Sequence, residues 1–384
     1  MKRIYGAINT FAGIMIIILM ILSFSADMKY GSSPYTDAVS YKDGWTYDND
    51  EPVSIESIDS ERPYIQKFIS SDELNGQSIC FISRNANFSV YLDDDEIYDF
   101  NPGKNYYKRG RYGDYMHIVP VPHFDGEKLI KIEFHNLDSN VSVGLYEMTM
   151  QNSGSYLAGL AQRDKVKFLV CFMTFLIGII IFAYGIVEQL SHGNMTETVC
   201  LGCFTMLIGI WTSPKQSILF LLAGNSMVLR AVEYIALAII PIPVITFAAS
   251  VIKKFRNPMF ITCITASTIN LIAQFIIAGA DVLDYKEMLF FSHIIIIACL
   301  LCIFIMLSSA YRRKEIDVRS TSWLAVSMSL ILVSGIFDML RYYFIHGMDS
   351  SKITRIVMPV FVTALIIYEV KKCLTSRLKA ARQN

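Results

Sequence analysis

The sequence predicts a membrane protein in three parts: an N-terminal anchor helix, an extracytoplasmic all-β sandwich, and a bundle of seven transmembrane helices. Three observations carry that prediction. Hydrophobic residues make up 53% of the 384 positions, and the mean hydropathy is +0.41, which is too apolar for an ordinary soluble protein. The formal net charge of zero conceals a division, because Asp27–Ser155 holds 22 acidic and 11 basic residues while the rest of the chain holds 12 acidic and 23 basic. Uncharged stretches of about 20 residues, the length a helix needs to cross a bilayer, recur outside that acidic segment and not within it.

The first part, residues 1–26, contains the apolar run Tyr5–Phe24, preceded by Lys2 and Arg3. This run is long for a signal-peptide core, and Ser23-Phe24-Ser25 is a poor cleavage site, so the expectation is a retained anchor rather than a cleaved signal. In either case the residues that follow are exported.

Residues 27–155 change to short alternating segments. "SICFIS", "FSVYLD", "YMHIVPVP", "LIKIEF" and "VSVGLY" carry β-branched and aromatic residues at period two, the pattern of half-buried strands. Asn85-Ala86-Asn87, Asn101-Pro102-Gly103 and Phe124-Asp125-Gly126 punctuate them as turns. At least five strands in roughly 130 residues suit one antiparallel sandwich. Cys80 is the sole cysteine of this part, so no disulfide forms inside it and core packing alone must hold it.

In residues 156–372 seven apolar runs follow one another: Phe168–Val187, Thr198–Ser213, Leu229–Ile252, Pro258–Ala280, Met288–Tyr311, Thr321–Leu340 and Ile353–Val370. The second is the weakest as a span, and the last carries Arg355, which must reach the interface. Pro241 and Pro243 predict a kink in the third. Short basic loops stay on the cytoplasmic side. Lys253, Lys254, Arg256, Arg312, Arg313, Lys314, Arg319, Lys371 and Lys372 gather on one side, against Lys215, Lys286, Arg341 and Lys352 on the other. The sandwich is therefore expected outside, and the basic tail 373–384 inside.

Several residue groups are candidates for function, and each has a plainer alternative. "NYYKRGRYGDY" combines Tyr106, Tyr107 and Tyr112 with Arg109 and Arg111. Such a loop suits stacking on a sugar ring or clamping a carboxylate, the alternative being ordinary surface tyrosines. Leu92–Tyr98 packs acids together but lacks the ligand spacing and glycine of a calcium loop, so a solvated hairpin turn is expected. Within the spans, Arg230 with Glu233 and Asp338 with Arg341 are ionisable pairs three residues apart. They are read either as an outward signal-coupling cluster or as interfacial residues reaching headgroups. Cys200 and Cys203 lie in an apolar helix with no second ligand pair, and His293 stands alone on another, so both are assigned to packing. The histidines and carboxylates are too scattered for an intramembrane metal hydrolase. No catalytic residue, metal or cofactor is expected, and no nucleic-acid partner.

The order of anchor, exported sandwich, seven spans and basic cytoplasmic helix resembles the bacterial seven-transmembrane receptors with diverse intracellular signalling modules. "FSVYLDDDEIYDF" and "GDYMHIVPVP…GEKLIKIEFHN" look like the jelly-roll sensor of that family, and "IALAIIPIPVITF" is similar to its third bundle span. The resemblance implies a jelly-roll domain that binds a carbohydrate or other extracellular small molecule. Members usually continue into a diguanylate cyclase, histidine kinase or phosphatase module. Only about a dozen residues follow Lys372 here, with no GGDEF stretch and no phosphate-binding glycine loop, so a separate cytoplasmic cyclase or kinase is the expected partner of a non-enzymatic receptor.

In the tail, Ile367, Val370, Leu374, Leu378 and Ala381 mark one helical face opposite Lys371, Lys372, Arg377, Lys379 and Arg382. The helix suits either a stop-transfer end whose lysines bind anionic headgroups or docking to a partner, including a second copy in a homodimer. A small-solute transporter and an accessory subunit binding another surface protein remain the alternative functions.

Overall fold

A computed structural model describes residues 38–59, 61–71, 76–101, 113–135, 143–192, 196–213, 219, 222, 226–252, 256–280, 282–283, 285, 287–313, 329–341, 353–364 and 367. The expected anchor, the loop holding Tyr106, Tyr107, Arg109, Arg111 and Tyr112, and the basic tail lie outside the described residues. Two compact units are present, described separately below. One holds the strands, the chain as far as Lys165, and Arg230; the other holds the helical residues from Val166 and from Ala231 onward.

The first unit contains eight strands: β1 (Val39–Ser40), β2 (Tyr64–Ser70), β3 (Ser78–Arg84), β4 (Phe88–Leu92), β5 (Asp95–Phe100), β6 (Asp114–Pro120), β7 (Glu127–Phe134) and β8 (Gly144–Gln151). They form two antiparallel four-stranded sheets, ordered β1-β8-β3-β6 and β2-β7-β4-β5. The chain crosses between sheets at every connection except the β4–β5 hairpin. Period-two alternation supplies both inner faces: Ile79, Phe81 and Val119 from the first sheet meet Ile65, Ile69, Phe88, Val90, Ile130 and Ile132 from the second, all essentially inaccessible to solvent. Each such side chain contributes about 1.5–3 kcal/mol by leaving water.

The acidic run of Leu92–Tyr98 is a hairpin. Asp93 adopts a left-handed φ of 55° at its turn, which aspartate tolerates, and its carboxylate accepts the Leu129 N–H at 2.9 Å and pairs with Lys128 at 3.0 Å.

The helices are α1 (Ser153–His192), α2 (Thr196–Thr212), α3 (Ser226–Ile239), α4 (Pro241–Ile252), α5 (Pro258–Gly279), α6 (Leu289–Arg312), α7 (329–341) and α8 (Ile353–Ala364). The expectation of seven crossings is met in part. Among the described residues, four stretches are long and apolar enough to span a membrane: Ser153–Leu190, Val228–Ser250, Pro258–Gly279 and Leu289–Ala310. The apolar stretches Glu197–Thr212 and Ile353–Ala364 are shorter. The 17 residues of α2 rise about 26 Å, less than the roughly 30 Å of a hydrocarbon core. As the prolines predict, the Val228–Ser250 stretch breaks at Ile240 between α3 and α4. Neither Pro241 nor Pro243 has an N–H to return to the preceding turn.

Within the helical unit, α1 and α2 meet backbone to backbone. A Cβ added at Gly178 would lie 2.6 Å from the Met206 nitrogen, at Gly185 2.8 Å from Val199 N, at Gly202 2.4 Å from Phe182 N and at Gly209 2.9 Å from Phe175 N. The glycines lie seven residues apart on each helix, so they fall on one face, and small residues of this kind let apolar helices approach closely. Hydroxyls in these apolar helices return to their own backbone: Thr174, Thr205, Thr246 and Ser267 each donate to the carbonyl four residues earlier at 2.8 Å, which spares them an unsatisfied donor.

Candidate functional site

The two sheets present unlike outer faces. On the β3–β6–β8 side the outward residues are apolar: Cys80, Met116 and Ile118 pack against Tyr156 and Leu160 from the first turns of α1. Polar contacts pin the same turns. The Ser78 and Ser153 hydroxyls lie 2.7 Å apart, and Arg163 pairs with Glu147 at 3.0 Å. Glu147 sits with a left-handed φ of 52° where the β3–β8 register slips, a bulge that re-aims its side chain. Burial pushes the Cys80 thiol up to about 12, so it is inert as a nucleophile.

The outer face of β2–β7–β4–β5 is polar and aromatic. Its rows run Tyr64, Glu133, Ser89, Asp99 and then Gln66, Lys131, Tyr91, Glu96. The Lys131 ammonium lies 5.4 Å from the Tyr64 ring centre and 4.8 Å from that of Tyr91, and pairs with Glu133 at 3.0 Å. The Tyr91 hydroxyl donates to Glu96 at 3.3 Å. The Ser89 hydroxyl donates to Asp99 at 2.9 Å and therefore accepts from His135 Nε2, also at 2.9 Å. Phe68, on the same face, is 70% exposed.

Between the sheets lies a histidine that sequence reasoning passed over. His117 bonds the Ser83 hydroxyl at 2.7 Å and the Tyr98 hydroxyl at 3.0 Å, joining β6 to its neighbour β3 and to β5 of the opposite sheet. The rings of Phe100, Phe88 and Phe81 surround it at centroid distances of 4.5, 4.9 and 5.1 Å. Burial lowers its pKa to about 3, so the ring is neutral and acts as a polar staple. The signal was present in "YMHIVPVP", where strand alternation places His117 on the same side as the buried Val119. Phe100 and Tyr115, the stems of the expected ligand loop, meet beside it with tilted rings whose centroids are 5.0 Å apart.

The expected signal-coupling residues have separate settings. Arg230 pairs with Asp114 on β6, a partner not foreseen, and Asp114 is also bound by Arg84 at 3.2 Å. Glu233 is buried. Asp338 and Arg341 do meet, at 3.6 Å, but the fully buried Asp338 carboxylate also accepts the N–H groups of Ile353 and Thr354 at 3.1 and 2.7 Å. It thereby caps α8, whose first N–H groups have no partner within the helix. His293 is buried. No group of three His, Cys, Asp or Glu among the described residues is arranged to hold a metal.

Compared with protein families, curated proteins and solved structures, the chain matches none of them.

Proposed function

We propose that this chain is a membrane receptor, with an extracytoplasmic sandwich that binds a small molecule and a helical unit that relays the event to a separate cytoplasmic partner such as a cyclase or kinase. The observation that carries this reading is the division of labour between the outer faces. One is occupied by the start of α1, a helix whose continuation is apolar enough to span a bilayer. The other is open and lined with tyrosines, carboxylates and a lysine, the groups that orient polar ligands. Eight antiparallel strands in two four-stranded sheets are also what a jelly-roll sensor requires. Sandwich outside and basic loops inside is the orientation that the lysine and arginine distribution supports.

The test is a thermal-shift screen of the full chain in detergent against sugars, carboxylates and amines, since a ligand that binds the folded state raises its stability by mass action. A ligand that shifts the midpoint without being accumulated by vesicles containing the protein supports a receptor. Accumulation of solute supports a transporter instead.

A further inference from the structure

Two arginines share one aspartate at the end of the sandwich toward which α1 runs. Ser153, the first residue of α1, touches Ser78 at the start of β3, and Tyr156 and Leu160 then pack on Cys80, Met116 and Ile118. From Ser78 to Arg84 the strand rises about 20 Å, and from Ser153 to Lys165 the helix rises about 18 Å. Arg84 and its register partner Asp114 are thus level with the turn of α1 that precedes the apolar run Phe168–Val187. A second apolar stretch starts beside them, because Arg230, two residues into Val228–Ser250, pairs with Asp114. The strands, α1 as far as Lys165, and Arg230 belong to one compact unit. Two segments long and apolar enough to cross a bilayer therefore leave this unit at one end, and that end meets the headgroups where they enter the membrane.

Both arginines are held in place. Arg84 Nε donates to Asp114 at 3.2 Å and its Nη1 to the Tyr146 hydroxyl at 3.3 Å, with the guanidinium 4.3 Å from the Tyr146 ring centre. That hydroxyl donates in turn to the Glu56 carbonyl at 2.9 Å. Arg230 Nη2 donates to the other Asp114 oxygen. One carboxylate balances only one of the two positive charges. Each guanidinium has five N–H donors, so among the described residues these contacts leave donors on both, and the side chains are 44% and 34% exposed. Surplus positive charge, forked donors and access from outside are what bidentate capture of a phosphate requires. The surplus runs against the domain as a whole, in which 22 acidic residues face 11 basic ones. Residues 102–112, which lead into Gly113 and Asp114, add Lys104, Lys108, Arg109 and Arg111 and no acid.

We propose that Arg84 and Arg230 bind the phosphate of an anionic phospholipid in the leaflet that borders the sandwich. Position favours a lipid over a soluble anion, since Arg230 is itself part of an apolar segment. The inference goes beyond the receptor reading and does not depend on it.

The experiment measures the thermal midpoint of the full-length protein in dodecyl maltoside micelles with phosphatidylglycerol, phosphatidylcholine or inorganic phosphate. Phosphatidylglycerol raises the midpoint by several degrees, by binding the folded state. Phosphatidylcholine, whose headgroup has no net charge, and inorganic phosphate do not. Arg84→Gln and Arg230→Gln each raise the phosphatidylglycerol concentration at half shift about tenfold, as the loss of one charged hydrogen bond does, while Arg313→Gln leaves it unchanged. Asp114→Asn removes the competing carboxylate and lowers that concentration severalfold, whereas a merely structural triad would lose stability with no gain in lipid binding. This variant keeps the inference testable should either arginine variant fail to fold. An equal response to the two lipids, or a phosphatidylglycerol response that survives both arginine substitutions, overturns the proposal, and so does unchanged or weaker lipid binding in Asp114→Asn. A matching shift with inorganic phosphate overturns the lipid as the source and assigns the pair to a soluble anion.

Discussion

The outer faces of the two sheets differ in what their strands offer to solvent. In β3 the residues at both parities are buried or nearly so, Ile79 and Phe81 toward the core and Cys80 toward α1. In β7 burial alternates, with Ile130, Ile132 and Phe134 inside and Lys131 and Glu133 at the surface. A strand that is apolar on both sides requires two covers, and a strand that alternates requires one. The difference separates a face packed against a helix from a face whose side chains alternate out to the surface.

Substitutions on the two faces should therefore have unequal consequences. Leu160→Asp places an unpaired charge beneath the covered sheet and is expected to cost about 3 kcal/mol or more, visible as a large fall in the denaturation midpoint of the full chain. A cost near zero would mean that α1 does not seal that face. Further along the same helix pair, Gly202→Leu forces a side chain into the Phe182 backbone and is expected to cost about 2 kcal/mol, measured in the same way, whereas Gly279→Leu, with open space at its Cβ position, should cost less.

His117 tests the core that both faces share. Its folded pKa of about 3 lies below the ordinary value of about 6.5. Between those values the unfolded chain takes up a proton that the folded one refuses. The stability conferred by the neutral ring is complete above pH 6.5 and is lost as the pH falls toward 3, by up to about 1.4 kcal/mol per pH unit. Denaturation midpoints of wild type and His117→Gln, compared from pH 7 to 4.5, should converge as the pH falls. The smallest effect belongs to the open face, where Tyr91→Ser should change stability by less than about 0.5 kcal/mol in the absence of ligand.

The strands β3, β4, β6 and β7, rich in β-branched and aromatic residues, were legible in the sequence, as was the break before Pro241. β2 was not, because Gln66 and Lys67 interrupt "YIQKFIS". Lys67 takes an inner-face position only by lying over the Tyr41 ring at 3.7 Å and donating to the Asp43 carbonyl at 2.8 Å. The start of α1 was also hidden, since Arg163, Asp164 and Lys165 resemble a polar loop until Glu147 is seen to pair with Arg163. Asp338 was singled out as a charge within an apolar run, and it is fully buried. Its role as the cap of α8 depends on a segment fifteen residues away and had no local signature. The open face escaped notice because its residues come from four strands of which only β4 and β5 pair locally, with β7 and β2 joining them from far along the chain.

The most direct test of the account is sidedness, read with a membrane-impermeant thiol reagent on intact cells. Native Cys80 is buried, so an added cysteine on the sandwich reports for itself. Phe68→Cys, on the open face, should be labelled without permeabilisation, and Arg313→Cys, beyond α6, only after it. Labelling of both or of neither in intact cells, or the reverse order, would contradict a sandwich that faces the surroundings while the basic loops face the cytoplasm.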